Sequence, residues 1–340
     1  MGRQWDNVQM IGSVSTTLEW FEIWLAAFGN DHSGIWKFES ENCSVRIPYH
    51  CYRNEIASLG IPTVGGATND HTPRFDLIGN PSGLNSIFDK LFRDLSVSLA
   101  VFPYLSKNSL LLCAFNKESC AWKYLIDDCE QSPFVDCTMD WDSYWKSRGK
   151  TRQTWSRREK KLIQKLGARF HVLSTPEEVK QRIEEIFEVE ASGWKGQKGS
   201  AMKQKSNTRQ FYFDLIQSFS EKGWLRVFTM ELGGKIIAFQ ITTLFNKRIF
   251  MHKIGYLTEY AKYSPGQALQ LQILRWAFRE PEVEKFDLLG GGGEAFETKL
   301  KWATGVENLY TLYVFKRNFY GLIAWFRFVL APKIKKVLLG

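Results

Sequence analysis

The stretch 225–302 constrains the fold most. Leu225–Leu232 and Lys235–Leu244 are apolar runs joined by Gly233-Gly234, which predicts a tight β-hairpin. Arg248–Leu257 follows after Asn246-Lys247 as a third antiparallel strand. Thr258–Tyr263 is a short polar loop. Ser264-Pro265-Gly266-Gln267 then opens a helix that Ala268–Phe278 continues with amphipathic spacing. Glu284–Leu289 reads as a strand, Gly290–Gly293 as a glycine turn, and Glu294–Trp302 as the start of another helix. No helical crossover precedes the third strand, so a doubly wound parallel sheet fits poorly. The pattern predicts an α+β domain with a mixed, mostly antiparallel sheet. A strand that turns directly into a helix N-terminus is also an anion site, because the first backbone N–H groups lack helical partners and the dipole favours negative charge.

Upstream, Pro176–Ala191 is a helix with Ser174 or Thr175 as cap and Glu177 and Glu178 in its first turn. Gln197–Ser206 is polar, and Thr208–Phe219 is another helix. Leu309–Phe315 closes the domain as its last strand. The first part of the chain alternates helix and strand. Thr16–Phe28 is an amphipathic helix, and Ile35–Glu39 and Val45–Tyr49 are short strands. Ile61–His71 is a Gly- and Thr-rich loop. Pro81–Leu95 is a helix capped by Asn80, and Leu99–Leu105 is a strand.

Charge divides the chain. Residues 1–137 carry 10 Lys/Arg and 16 Asp/Glu, for a net −6, whereas residues 138–340 carry 35 and 20, for +15. From Lys146 to Lys165 there are nine Lys/Arg and one acid, Glu159. Such a helix is either a solvated face or an electrostatic rim for a polyanionic ligand. The switch sets domains at 1–145, acidic and structural or acceptor-binding, and 146–316, basic. Residues 317–340 form a basic amphipathic tail. Within it, Phe319–Pro332 is apolar and aromatic with Arg327 its one charge, and Lys333, Lys335 and Lys336 follow. This composition suits a helix on an anionic membrane surface as well as one docked on the core.

The six Cys all precede residue 138 and none is spaced C-x-x-C, so neither a zinc site nor any other metal is expected. The first ten residues lack the apolar core of a signal peptide, and no 18-residue apolar run occurs. A cytoplasmic location with reduced thiols is the expectation, with peripheral attachment to the inner face of the membrane left open. There is no G-x-S-x-G, no Cys in the second domain, and no G-x-G-x-x-G after a strand. Nucleophilic catalysis and dinucleotide binding are therefore not indicated.

This order of elements resembles the GNAT acyltransferase fold, and more closely the CelD-like and FemAB-like group, in which two GNAT-type domains lie in tandem. The residues that carry the resemblance are Ser192-Gly193-Trp194-Lys195-Gly196 with Gly199-Ser200, Phe211-Tyr212, the Leu225–Phe239 hairpin, Lys253, Gly255 and Tyr256, Tyr263-Ser264-Pro265-Gly266, Phe286-Asp287, and Glu294–Trp302. They cover about 140–315. The resemblance implies two tandem domains and acyl transfer to an amine, with acyl-CoA, acetyl-CoA above all, as co-substrate. In the family's phosphate loop, Gln/Arg-x-x-Gly-x-Gly/Ala, this chain places Tyr263-Ser264-Pro265-Gly266-Gln267-Ala268. The Gly-x-Ala part is kept, but Tyr263 replaces Gln or Arg, so an aminoacyl-tRNA donor stays open beside CoA.

Acyl transfer to an amine needs an acceptor for the amine proton, a donor to the carbonyl oxygen, and an acid for the leaving group. On the strand Arg248–Leu257, alternation sets Phe250, His252 and Ile254 on one face and Met251, Lys253 and Gly255 on the other. His252 titrates near neutrality and is a candidate base. Tyr256 is a candidate acid, and Asp287 a base or a group that orients one. Trp194, Lys195, Lys253, Glu297 and Lys299 are candidates for acceptor binding. Three functions are consistent with these residues. The first is an N-acyltransferase acting on an amino group of a sugar, lipid-linked sugar or envelope polysaccharide precursor. The second is a tRNA-dependent aminoacyltransferase acting on a peptidoglycan precursor. The third is a non-catalytic membrane-surface adaptor.

Overall fold

The computed structural model describes residues 12–56, 58–192 and 205–334. In chain order the elements begin with α1 (Leu18–Phe28), β1 (Ser33–Ser40), β2 (Cys43–Ile56), β3 (Leu59–Gly66), β4 (Ile78–Asn80), α2 (Leu84–Asp94), β5 (Leu99–Ser106), α3 (Leu110–Lys117) and β6 (Lys123–Asp136). There follow α4 (Trp141–Ser147), α5 (Thr151–Lys160), β7 (Arg169–Leu173), α6 (Pro176–Ala191), α7 (Ser206–Glu221), β8 (Leu225–Leu232), β9 (Lys235–Phe245) and β10 (Arg248–Tyr256). The last are α8 (Pro265–Ala277), β11 (Lys285–Asp287), α9 (Gly293–Trp302), β12 (Gly305–Phe315) and α10 (Phe319–Trp325).

The chain forms two compact units, Met1–Glu130 with Asn308–Gly340, and Gln131–Glu307. The boundaries read at 145/146 and 316/317 from the charge switch therefore move to 130/131 and 307/308. Strand pairing is the reason. Leu309–Phe315, expected to close the second domain, pairs antiparallel with β5 in the first unit. In the second unit the edge is supplied from upstream, where Phe134–Asp136 pair antiparallel with β11.

In the first unit β1, β2 and β3 form an antiparallel meander, β3 runs parallel to β5, and β4 adds to the start of β2. Two expectations fail here. Ile61–His71 is not a loop, since its first half belongs to β3 and pairs Thr63 with Tyr52 and Gly66 with Tyr49. Its glycines allow close approach. A Cβ on Gly66 would lie 2.8 Å from the Phe75 ring. Nor does Asn80 cap α2, because it ends β4. The cap residue is Gly83, at φ 76°, and the Glu118 carboxylate accepts from the Gly83 and Leu84 N–H groups at 3.0 Å. Helix α3 is capped in a related way. The buried Asp76 accepts from the N–H groups of Leu110 at 2.5 Å and Leu111 at 3.1 Å.

The second unit has the strands expected of 225–302, and β7, which the sequence reading did not anticipate, adds to their edge. Strands β7, β8, β9 and β10 are antiparallel in sequence order, and β11 runs parallel to β10. Helix α6 begins with the predicted cap, in which Thr175 and Glu178 form a reciprocal capping box. The core is aromatic. Phe187, Phe211, Phe219 and Phe228 are fully buried, and each contributes about 1.5–3 kcal/mol. Exposed pairs such as Arg209–Glu184 and Lys235–Glu259 contribute at most about 1 kcal/mol each, so burial decides this fold.

Two observations fix which helix covers which face. Gln240 donates to Gln270 of α8 at 2.8 Å, and the ring of Phe228, opposite Gln240 in register, meets Trp276 at 5.0 Å. On the reverse face, Lys253 Nζ lies 3.8 Å from Glu190 of α6, and a Cβ on Gly255 would lie 3.2 Å from Glu190 Cα and 2.5 Å from the Phe239 ring. Gly255→Ala should therefore overpack the α6 face and lower stability by about 1–3 kcal/mol, visible as a fall in the denaturant midpoint with an unchanged m-value.

Candidate acyl-transfer site

Helix α8 starts where the sequence places it. Ser264 precedes it at φ 54°, ψ 54°, and Pro265 occupies the first helical position, where its missing N–H is no loss. The left-handed Ser264 turns the chain sharply out of the 3₁₀ turn Thr258–Tyr263. Of the five backbone positions expected to cradle phosphate, most are engaged. Ser264 N–H bonds Ala261 O at 2.9 Å, and the N–H groups of Gln267 and Ala268 both bond Ser264 O, at 3.1 and 3.2 Å. Gly266 is the one N–H outside those bonds. A Cβ on Gly266 would meet a single atom nearby, Tyr256 Cδ1 at 3.7 Å. The helix mouth is thus open at Gly266 and flanked by the half-exposed Tyr256.

Positive charge gathers at this mouth from the basic helix. Helix α5 turns Trp155 and Glu159 inward, the turn after it does the same with Leu162, and all three are buried. Trp155 stacks on Trp302 at 3.4 Å. Glu159, the one acid of the basic run, accepts from Gln272 and Arg275 of α8. These anchors leave Arg158 donating to Gln267 Oε1. Lys161 Nζ lies 4.9 Å from the centre of the Tyr263 ring, and Lys262 Nζ lies 5.1 Å from it. Tyr263 stands where the family pattern has Gln or Arg, and two lysine cations rest on its ring, a cation–π arrangement. The site expectation omitted Arg158 and Lys161, although the nine cations of 146–165 were the signal for them.

The candidate catalytic groups divide. Tyr256 lies at the mouth. His252 sits in a β-bulge, since Met251 pairs with Thr242 and Lys253 with Ile241. The strict alternation expected for this strand therefore breaks. Lys253 and Gly255 share the face of Phe250, and Ile254 and Tyr256 share that of Met251. His252 Nε2 hydrogen-bonds Thr243 Oγ1 at 2.8 Å. Desolvation pushes its imidazole down to about 3, against a smaller opposing pull from Asp287. It does not titrate near neutrality, as the sequence reading assumed, and it is a weak base.

Asp287 is fully buried. Its Oδ1 accepts from the Ser132 hydroxyl at 2.6 Å and the Leu289 N–H at 2.8 Å, and its Oδ2 from Arg248 at 2.5 Å. Arg248 also bonds Glu307. Burial alone pulls the Arg248 guanidinium down, but the Asp287 and Glu307 carboxylates reverse this and leave it raised. With its oxygens engaged, Asp287 anchors strands and the glycine turn rather than meeting an acceptor amine.

The candidate acceptor residues do not gather at the mouth. Lys299 donates to Leu289 O at 3.2 Å and to Gly290 O, closing the glycine turn. Lys253 faces α6, 5.3 Å from the Tyr212 ring. Tyr212 itself is raised well above its ordinary value by burial, and further by Glu190. Glu297 is exposed on α9. Trp194 and Lys195 lie outside the described residues. Among the described residues no group of three or more His, Cys, Asp or Glu could hold a metal ion.

Two predictions follow from these contacts. Asp287→Ala leaves Arg248 without one of its two carboxylates in a buried setting and should destabilise the protein by about 3–5 kcal/mol, measured by urea unfolding. His252 acts on stability through pH. Between about 3 and 6.5 the unfolded chain carries the proton and the folded chain does not. Its contribution is complete above pH 6.5 and is lost as pH falls towards 3. The unfolding free energy of the native chain should drop on acidification by up to about 4 kcal/mol more than that of His252→Gln, whose curve should lack this component.

Residues 149–298 match the family described as acetyltransferase (GNAT) domain. A comparison with curated protein sequences finds no match. Among solved structures the chain is similar to FemX, at 9 % identity and a TM-score of 0.58, with 88 % of this chain and 92 % of that one covered. It is also similar to the C-terminal domain of a putative lysylphosphatidylglycerol synthetase from Agrobacterium fabrum, at 16 % identity and a TM-score of 0.56, with 89 % of each chain covered. A third is L-PGS from Bacillus licheniformis, at 13 % identity and a TM-score of 0.52, with 91 % and 94 % covered. At these identities the likenesses speak for the fold, and the matched domain speaks for the chemistry. With the meander, the helix mouth and the basic helix beside it, they place a GNAT-type acetyltransferase domain at residues 149–298, in a chain whose fold is similar to that of FemX.

Proposed function

We propose that the chain moves an acyl group from an acyl-CoA to an amino group of a sugar, a lipid-linked sugar or an envelope polysaccharide precursor. The observation that carries this reading is the mouth of α8. There the Gly266 N–H, Arg158 and the two lysines on Tyr263 collect positive potential at one helix N-terminus. A CoA pyrophosphate matches that potential, and the open space at Gly266 admits it. Pro265–Ala268 supply the turn, and Gln267 holds Arg158 in place.

The chemistry is direct transfer. The neutral amine attacks the thioester carbonyl carbon, the C–N bond forms, the C–S bond breaks, and the sulfur leaves as a thiolate. In this reading Tyr256, at the mouth and half exposed, protonates that thiolate. The amine proton passes to solvent. Neither His252, bonded to Thr243, nor Asp287, occupied by Arg248 and Ser132, is needed for that step. The sugar acceptor rests on the resemblance. Acetyl-CoA is the simplest donor to test.

Calorimetric titration with acetyl-CoA and longer acyl-CoAs should give binding to the wild-type chain. Gly266→Glu or the pair Arg158→Glu and Lys161→Glu should weaken it by tenfold or more, roughly what two reversed charges near a phosphate supply. Tyr256→Phe should leave donor affinity unchanged and lower kcat about a hundredfold. A wild-type rate in Gly266→Glu would sink the assignment of the helix mouth. The second reading, an aminoacyl-tRNA donor, is favoured by the nine cations of 146–165. Salt-sensitive binding of charged tRNA, with no heat from any CoA thioester, would replace the first reading with it.

A further inference from the structure

We infer that the 319–334 helix holds the protein on an anionic lipid surface by its outer face. The segment runs through α10, a π-turn at Phe326–Leu330 and a final turn to Ile334. One side is docked on the first unit. Ala324 is fully buried in a cluster with Ile56, Ile61, Leu99 and Phe315, and Ile323, Trp325, Phe328 and Val329 pack against that cluster. Phe328 meets the Tyr313 ring at 4.7 Å, and Lys123 Nζ caps the Trp325 ring at 3.7 Å.

A helix docked this way and facing water should carry charge on its other side. This one does not. Phe319 is 68 % exposed, Leu322 and Phe326 51 % each, and Ile334 47 %. Phe319, Leu322 and Phe326 are spaced by three and four, so they form one outward stripe. Such a patch marks a surface that meets something apolar.

Charge identifies the occupant. Residues 308–340 contain six Lys/Arg and no Asp/Glu. Residues 1–130, the rest of the same unit, carry 10 Lys/Arg and 15 Asp/Glu, a net −5. A cationic, aromatic stripe on an otherwise acidic unit complements a bilayer surface rich in anionic headgroups. The apolar side chains enter the acyl boundary while Arg327 and Lys333, both exposed, reach the phosphates. A second copy paired stripe to stripe would set the same cations against each other. No helix among the described residues is long and apolar enough to cross a membrane, so the contact is interfacial. This proposal does not depend on which donor the acyltransferase site takes.

The test is co-sedimentation of the full chain with vesicles of phosphatidylcholine alone and of phosphatidylcholine with one quarter phosphatidylglycerol. The wild-type chain should bind the second kind, and binding should fall as salt rises. Phe319→Ser with Leu322→Ser and Phe326→Ser should reduce the partition coefficient by about tenfold or more. Because these positions are exposed, thermal unfolding should stay close to wild type and confirm an intact fold. Arg327→Glu with Lys333→Glu should lose preference for phosphatidylglycerol without touching the apolar stripe. Equal sedimentation with both vesicles, or serine variants that bind as wild type, would overturn the proposal. So would size-exclusion showing that the stripe joins two copies, with the serine variant monomeric and neither form bound to vesicles.

Discussion

The second unit depends on one buried charge cluster. Asp287 is fully buried at the end of β11, and a lone carboxylate there would carry a desolvation penalty of several kcal/mol. Arg248, at the start of β10, offsets it with a bond at 2.5 Å and extends the link to Glu307 at the start of β12. Ser132 of β6 adds a hydroxyl. Residues from four strands therefore meet at one guanidinium–carboxylate pair. The parallel pairing of the short β11 with β10 involves three residues on each strand, and this cluster holds its end. The same carboxylate takes the Leu289 N–H, and Lys299 takes the Leu289 and Gly290 carbonyls. A turn containing Leu289 at φ 58° and four successive glycines is thus fixed by polar contacts at its base.

The site inherits its position from packing in the same unit. Trp155 stacked on Trp302 and Glu159 bonded to Gln272 and Arg275 hold a strongly basic helix against the helix whose N-terminus it faces. Like charges would otherwise keep α5 in solvent, and its single acid accepts from two residues of α8. Arg158 and Lys161 therefore reach the mouth from a side that is built, and the positive potential there comes from side chains as much as from backbone N–H groups. Tyr263 takes part in this gathering of charge although it is neutral. The ring carries no charge, but it seats two lysines that do.

Where local chemistry dominates, the sequence was readable. The Gly233-Gly234 hairpin, the Thr175 cap, the helix start at Pro265 and the strand–glycine–helix run from Lys285 were all evident from turn residues and periodicity. What escaped was set by partners far along the chain. Glu118 caps α2 from 34 or 35 residues away, and Asp76 caps α3 from a similar distance. β3 looked like a loop because its glycines mark close approach to Phe75 and His50, not a turn. Leu309–Phe315 was recognisable as a strand, but nothing local could say that it pairs with β5. Glu190 is an acid on the buried stripe of α6, and only the fold reveals Lys253 beside it.

The bulge at His252 connects these levels. Without the extra residue, Tyr256 would keep the parity of Phe250, which lies opposite Thr243 on β9, and would point towards α6. With it, Tyr256 lies opposite Ala238, on the face of Gln240 and therefore of α8, and its ring comes within reach of Gly266. The same residue shift carries Lys253 and Gly255 to the α6 side, where Glu190 meets the lysine and the missing Cβ lets Phe239 and Glu190 close in. His252 is the inserted residue, and its bond to Thr243 stabilises the irregular register. A histidine chosen from sequence as a base thus acts on the site by another route. It sets the register that brings the tyrosine to the helix mouth.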